Sequence, residues 1–147
     1  MRRSTKRKLK KAGYNAIQWS WGLPQTLAGA VLYLKHRNNR HFDYGGAKAT
    51  VWEGDKGVSL GKFIFVPENS SEFLLDHEYG HTFQSMILGP LYLPLVGAPS
   101  MAWNRLSFFE KKRKKTGRSY YSAVFERTAN QLGALAAASA RNKKDTD

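Results

Sequence analysis

The chain has 147 residues, with 24 Lys and Arg against 11 Asp and Glu for a formal charge of +13, which is one domain's worth of protein biased toward anionic partners. With 41% hydrophobic and 13% aromatic residues, it can build a core, which excludes disordered, collagen-like and low-complexity classes. It contains no cysteine, so disulfide frameworks, cysteine zinc fingers, iron–sulfur sites and thiol catalysis are excluded, and any metal must be held by His, Asp or Glu.

The first basic block, Arg2, Arg3, Lys6, Arg7, Lys8, Lys10 and Lys11, reads as part of a solvated arm over residues 1–15. Residues 16–140 read as a single domain and 141–147 as a polar tail. Residues 16–34, AIQWSWGLPQTLAGAVLYL, would be long enough to cross a bilayer at ~1.5 Å per residue. Gln18, Ser20, Gln25 and Thr26 make them a poor spanning segment. Pro24 instead suits a helix's first turn. No small-x-small cleavage site follows and basic residues resume at Lys35, Arg37 and Arg40, so a secretory signal is rejected. What remains is a helix over residues 23–35, read as a core helix in preference to a membrane-apposed one, with Trp19 and Trp21 suited to an interface.

Residues 38–46 are rich in turn formers. Residues 47–53 and 58–66 flank Gly54-Asp55-Lys56-Gly57 and read as a hairpin ended by Pro67, with Phe63, Ile64, Phe65 and Val66 supplying strand propensity. A phosphate-loop reading of Gly57, Gly61 and Lys62 fails, because the spacing is one short and Phe63 stands where a magnesium-binding Ser or Thr is needed.

Asn69 as N-cap with Glu72 three residues on, and Gly89-Pro90 as a stop, predict a helix over residues 70–88. Within it lies His77-Glu78-Tyr79-Gly80-His81, an HExxH pattern whose histidines at i and i+4 leave one face a turn apart. Two imidazoles so placed suit zinc, and a site with three protein ligands leaves a position for water. Glu78, beside the first of them, is then placed as general base. The plainer alternative makes His77 and His81 ordinary surface residues, yet Phe73, Leu74, Leu75, Tyr79, Phe83, Met86, Ile87 and Leu88 make this helix apolar on nearly every side. Buried histidines need partners.

Ile87, where a third histidine would stand, and Gln84, in place of a glycine, exclude the metzincin extension. Glu110 leads into the Lys111–Lys115 block, which reads as an exposed connection, and is more simply a solvated charge paired with Lys114 at i+4. Glu126 is the better third ligand. It lies in an alanine-rich segment, residues 120–140, whose Gly133 permits close helix packing. Asn130, one turn on, could accept from the outward ring nitrogen of a ligand histidine. The competing role for Glu126 is a salt bridge to a basic residue.

HEYGH with Glu126 and Asn130 resembles the gluzincin arrangement of zinc metallopeptidases, in which HExxH on one helix is completed by a Glu on a later helix. Thermolysin-like members commonly carry Asp where this chain has Asn130. The strings WGLPQT, SLGKFIF, HEYGHTFQS, LGPLYLP, GAPS and ERTAN are similar to a group of small bacterial proteins regarded as metallopeptidases, over residues 19–133. The resemblance implies zinc on His77, His81 and Glu126, Glu78 as base, and a substrate peptide added along an edge strand, for which residues 58–66 are the candidate. The expected fold class is therefore α+β: a minimal zincin-like domain with the HExxH helix, a small hairpin or sheet before it and a later helix supplying the third ligand. An oxyanion donor is sought among Tyr92, Tyr120 and Tyr121. The apolar stretch 86–98 reads as core wrapping, a groove wall or a membrane-dipping loop, with core packing preferred. The expected location is the bacterial cytoplasm or the cytoplasmic face of the membrane. The expected partners are a peptide or protein substrate and an anionic membrane surface. The alternative function is a basic protein that binds nucleic acid or an anionic surface, with a structural or vestigial zinc site and no recognised nucleic-acid motif.

Overall fold

The computed structural model describes residues 3–118 and 123–141. It is a mixed α+β fold in which helices enclose a four-stranded sheet. Tyr120 and Tyr121, and the expected tail beyond Arg141, lie outside the described residues.

The strands are β1 (His41–Tyr44), β2 (Ala47–Val51), β3 (Val58–Leu60) and β4 (Phe63–Val66), in the order β1-β2-β4-β3. The expected hairpin of 47–53 on 58–66 does not form. Two tighter hairpins take its place, β1–β2 and β3–β4, and β2 pairs with β4 in parallel, Ala49 opposite Ile64. The reason is local. Gly45 and Gly61 adopt φ of +59° and +61°, and each opens a two-residue turn that residues with a Cβ rarely accept. The turn-rich stretch at residues 38–46 thus contains β1, while 54–57 form a crossing loop in which Trp52 Nε1 donates to the Lys56 carbonyl at 3.0 Å.

All four residues of β4 are buried, as befits a strand covered on both faces. Ile64 and Val66 pack with Tyr14, Ala47 and Ala49, and with Leu74, Leu75 and Tyr79 of α3 (Glu72–Leu88). On the opposite face the Phe63 ring lies 5.3 Å from Tyr33, which belongs to α2 (Leu23–Lys35). The expected solvated arm over residues 1–15 has regular structure from Arg3 onward. It forms the helix α1 (Arg3–Gln18), in which Lys6, Arg7, Lys8, Lys10 and Lys11 stand in solvent while Tyr14 and Gln18 are buried.

Helix α2 keeps the predicted span but not the predicted burial. It buries Gln25, Thr26 and Gly29, and exposes Leu27, Val31 and Leu34. The cap of α3 also differs. Ser71, not Asn69, is the N-cap and accepts from the Leu74 amide at 3.2 Å, while Asn69 takes φ of +56° to turn the chain into it. Gly89 ends α3 at φ of +55°.

The apolar stretch after α3 forms a short 3₁₀ turn (Gly89–Leu91) and a π turn (Leu93–Gly97). Tyr92 and Val96 are buried there and Leu91 and Leu95 exposed, so core packing describes only part of it. Helices α4 (Ala98–Arg105) and α5 (Ser107–Thr116) follow. The basic block expected as a connection is the body of α5, where Glu110 and Lys114 pair at 3.0 Å across one turn. Helix α6 (Val124–Arg141) crosses α3 backbone to backbone. A Cβ on Gly80 would strike the Ala129 carbonyl, and one on Gly133 the Asp76 carbonyl.

Candidate metal centre

That close crossing determines what faces what. His77 and His81 leave α3 on its α6 side, and Glu126, in the first turn of α6, meets them. All three are buried, and a candidate ligand atom from each lies within 4.8 Å of the others. The Nε2 atoms of His77 and His81 lie 2.9 and 3.3 Å from the same carboxylate oxygen, Glu126 Oε2. In a tetrahedral zinc site with ligands at ~2.0–2.1 Å, neighbouring ligands stand roughly 3.3 Å apart. The spacing of these atoms is of that order.

The outward ring nitrogens fix which lone pairs point inward. His81 Nδ1 is 2.7 Å from Gln84 Oε1, and Gln84 Nε2 donates to the Phe125 carbonyl at 2.8 Å, which orients the amide so that its oxygen faces the ring. His81 Nδ1 is therefore the donor. His77 Nδ1 stands likewise 2.7 Å from Asn130 Oδ1. With both Nδ1 atoms turned outward to amide oxygens, both Nε2 atoms face the same carboxylate oxygen, Glu126 Oε2. Three converging lone pairs repel unless a proton or a cation lies among them. The other oxygen, Glu126 Oε1, accepts from the Ser100 hydroxyl of α4, leaving Oε2 for the imidazoles.

The electrostatics agree. Burial pushes the Glu126 carboxyl up, but hydrogen bonds from His77 and His81, with help from Ser100, outweigh it and hold the group well below the usual carboxylate range. Burial pulls His81 down, yet its bond to Glu126 and the charges of Glu78 and Glu126 prevail and raise it. Both shifts favour the ion pair of imidazolium and carboxylate.

Glu78 is buried and leans the other way, toward β3 at the sheet edge. The Ser59 hydroxyl lies 2.5 Å from Glu78 Oε2 and 2.8 Å from the Glu78 carbonyl. A Cβ on Gly57 would meet the same carboxylate. Glu78 and His81 line a cleft of ≈ 240 Å³ together with Ser59, Tyr92, Met101 and Arg105. The Tyr92 hydroxyl donates to the Ser59 carbonyl at 3.3 Å, so this residue braces the edge strand as well as lining the cleft.

The structure thus brings together His77, His81, Glu126 and Asn130, and sets Glu78 beside them at the cleft. Sequence reasoning missed Gln84, Ser59 and Ser100. Gln84 carried a signal, since it follows His81 by three residues on one helix face. Ser59 and Ser100 reach the site only through tertiary packing. No protein-family model, curated protein or solved structure matches this chain.

Proposed function

We propose that the protein is a zinc-dependent metallopeptidase with a minimal zincin-like site, in which His77, His81 and Glu126 hold the metal and Glu78 is the general base. The supporting observation is the convergence of His77, His81 and Glu126, all buried, beside a cleft that also reaches a second buried acid, Glu78. Nitrogen and carboxylate donors without sulfur suit zinc among the common metals. When bound, zinc supplies a Lewis acid that makes water nucleophilic near neutral pH.

The chain's own residues do the rest. Asn130 and Gln84 hold the two rings in one tautomer, and Ser100 keeps one oxygen of Glu126 free. Glu78, held by Ser59, takes a proton as water adds to the peptide carbonyl and returns it to the amine as the C–N bond breaks. An extended peptide lying along the outer edge of β3 would present its carbonyl to the cleft through backbone hydrogen bonds.

Glu78→Gln tests this reading. The variant is expected to keep zinc in full and to lose hydrolysis of an unfolded protein substrate by about 10²–10⁴-fold. Hydrolysis that survives in Glu78→Gln, or that persists in wild type after complete chelation, would overturn it.

A further inference from the structure

Helix α2 is built inside out. Its inward face carries Gln25, Thr26 and Gly29, and its outward face carries Leu23, Leu27, Val31 and Leu34, spaced four, four and three apart with no charged residue among them. Leu27, Val31 and Leu34 are 50%, 58% and 64% exposed. This orientation is fixed by specific contacts. Gln25 Nε2 donates to Ser85 Oγ at 2.7 Å and to the Gly89 carbonyl at 2.9 Å, and Gly29 lies so close to the Leu60 carbonyl and the Phe63 ring that a Cβ would not fit. Rolling the leucines inward would break buried hydrogen bonds and drive side chains into the sheet. The apolar stripe is held toward the outside by the polar side of the same helix.

The stripe does not end with the helix. Trp21, 54% exposed, lies against Gly89, and Leu91, 56% exposed, follows in the next turn. Trp19 and Trp21 stand at one end of α2, while Lys35 and Arg37 are exposed at the other. Aromatic residues at one margin, aliphatic residues between and cations at the other margin suit a helix lying in the plane of a bilayer surface. No helix among the described residues is long and apolar enough to cross one.

We infer that the outward face of α2, with Trp21 and Leu91, docks on an anionic lipid surface. The charge of +13 selects this occupant over a second copy, because two such chains repel and acidic headgroups attract. The aliphatic stripe selects it over nucleic acid, because phosphate contacts would require donors on that face. The inference stands apart from the metal site, since no residue of the stripe belongs to it.

The test uses the full chain with vesicles of phosphatidylcholine alone and of phosphatidylcholine mixed with phosphatidylglycerol, followed by co-sedimentation and tryptophan emission. Binding is expected on the mixed vesicles, with a blue shift, and is expected to weaken as salt rises to about 0.5 M. The double variant Leu27→Gln, Val31→Gln leaves charge unchanged and is expected to bind about tenfold more weakly, with circular dichroism like that of wild type. Equal binding of wild type and variant would show that charge alone acts and overturn the assignment. Absence of binding to either vesicle would do the same. So would a dimer, or a complex with a DNA oligonucleotide, that the double substitution abolishes, since each gives the face another occupant.

Discussion

Helices α2 and α3 are both apolar in sequence, and both turn polar side chains toward the interior. Gln25 of α2 donates from Nε2 to Ser85 Oγ of α3, and α1 joins the same network, where the Ser85 hydroxyl donates to Gln18 Oε1 and Gln18 Nε2 to the Thr82 carbonyl at 2.9 Å. The difference lies in what the polar faces find. Gln25 meets acceptors for its amide protons, whereas on the other side of α3 the imidazoles of His77 and His81 meet a carboxylate that offers only lone pairs. The Gln25 amide protons are satisfied, while Gln25 Oε1 and the Thr26 hydroxyl find no hydrogen-bond partner among the described residues. The two imidazoles and the carboxylate instead converge on one point, where a proton or a metal ion could be held.

The largest expected effect on this contrast comes from Gly133→Ala. The new methyl would strike the Asp76 carbonyl, and the overpacking cost of about 1–3 kcal/mol exceeds the gain of under about 1 kcal/mol from replacing a helical glycine. Chemical denaturation should show the loss, and zinc affinity should fall with it because Glu126 moves away from the histidines. Unchanged affinity would mean that the helix crossing does not set the site. Asn130→Ala leaves the three ligands in place and frees the His77 ring. It should weaken zinc binding by about 10–100-fold in a competitive chelator titration, with little change in fold.

The pH dependence follows from the same cluster. In the metal-free protein His81 is raised above the ordinary imidazole value and Glu126 is depressed. The raised His81 contributes stability that is present below the ordinary imidazole value and lost as pH climbs through its elevated one. The depressed Glu126 contributes stability present above the ordinary carboxylate range and lost in acid. Zinc on these ligands would displace the proton that a raised His81 favours, so calorimetry in buffers of different ionisation enthalpy should show proton release on binding near pH 7, and affinity should rise with pH. Binding without proton release would contradict this account.

A last pair of substitutions distinguishes the two sides of α2. Gln25→Leu should cost about 1–3 kcal/mol, because it leaves buried groups unpaired, while Leu27→Gln on the exposed face should change stability by no more than about 0.5 kcal/mol. The reverse order would mean that α2 sits the other way round.

The HExxH spacing placed both histidines because i and i+4 share a helix face whatever the rest of the chain does. Glu126 and Asn130 were legible for the same reason, one turn apart in an alanine-rich segment with Gly133 to admit α3. Local pattern failed where partners came from afar. Residues 58–66 carry the composition of one strand, but Gly61 folds them into two, and β2 chooses β4 through a parallel pairing that no turn signal announces. Residues 23–35 suggest a core helix because a small domain commonly buries one helix that is apolar all round. Gln25 and Gly29 decide its orientation through contacts with Ser85, Gly89, Leu60 and Phe63, and nothing within residues 23–35 reveals them.

The most direct measurement is metal stoichiometry, by elemental analysis of purified protein dialysed against zinc, for wild type and His81→Ala in parallel. The account predicts one zinc per wild-type chain and its loss from the variant while circular dichroism stays the same. A wild-type chain that takes up no metal, or a variant that retains it in full, would contradict the claim that these three buried side chains form a metal site.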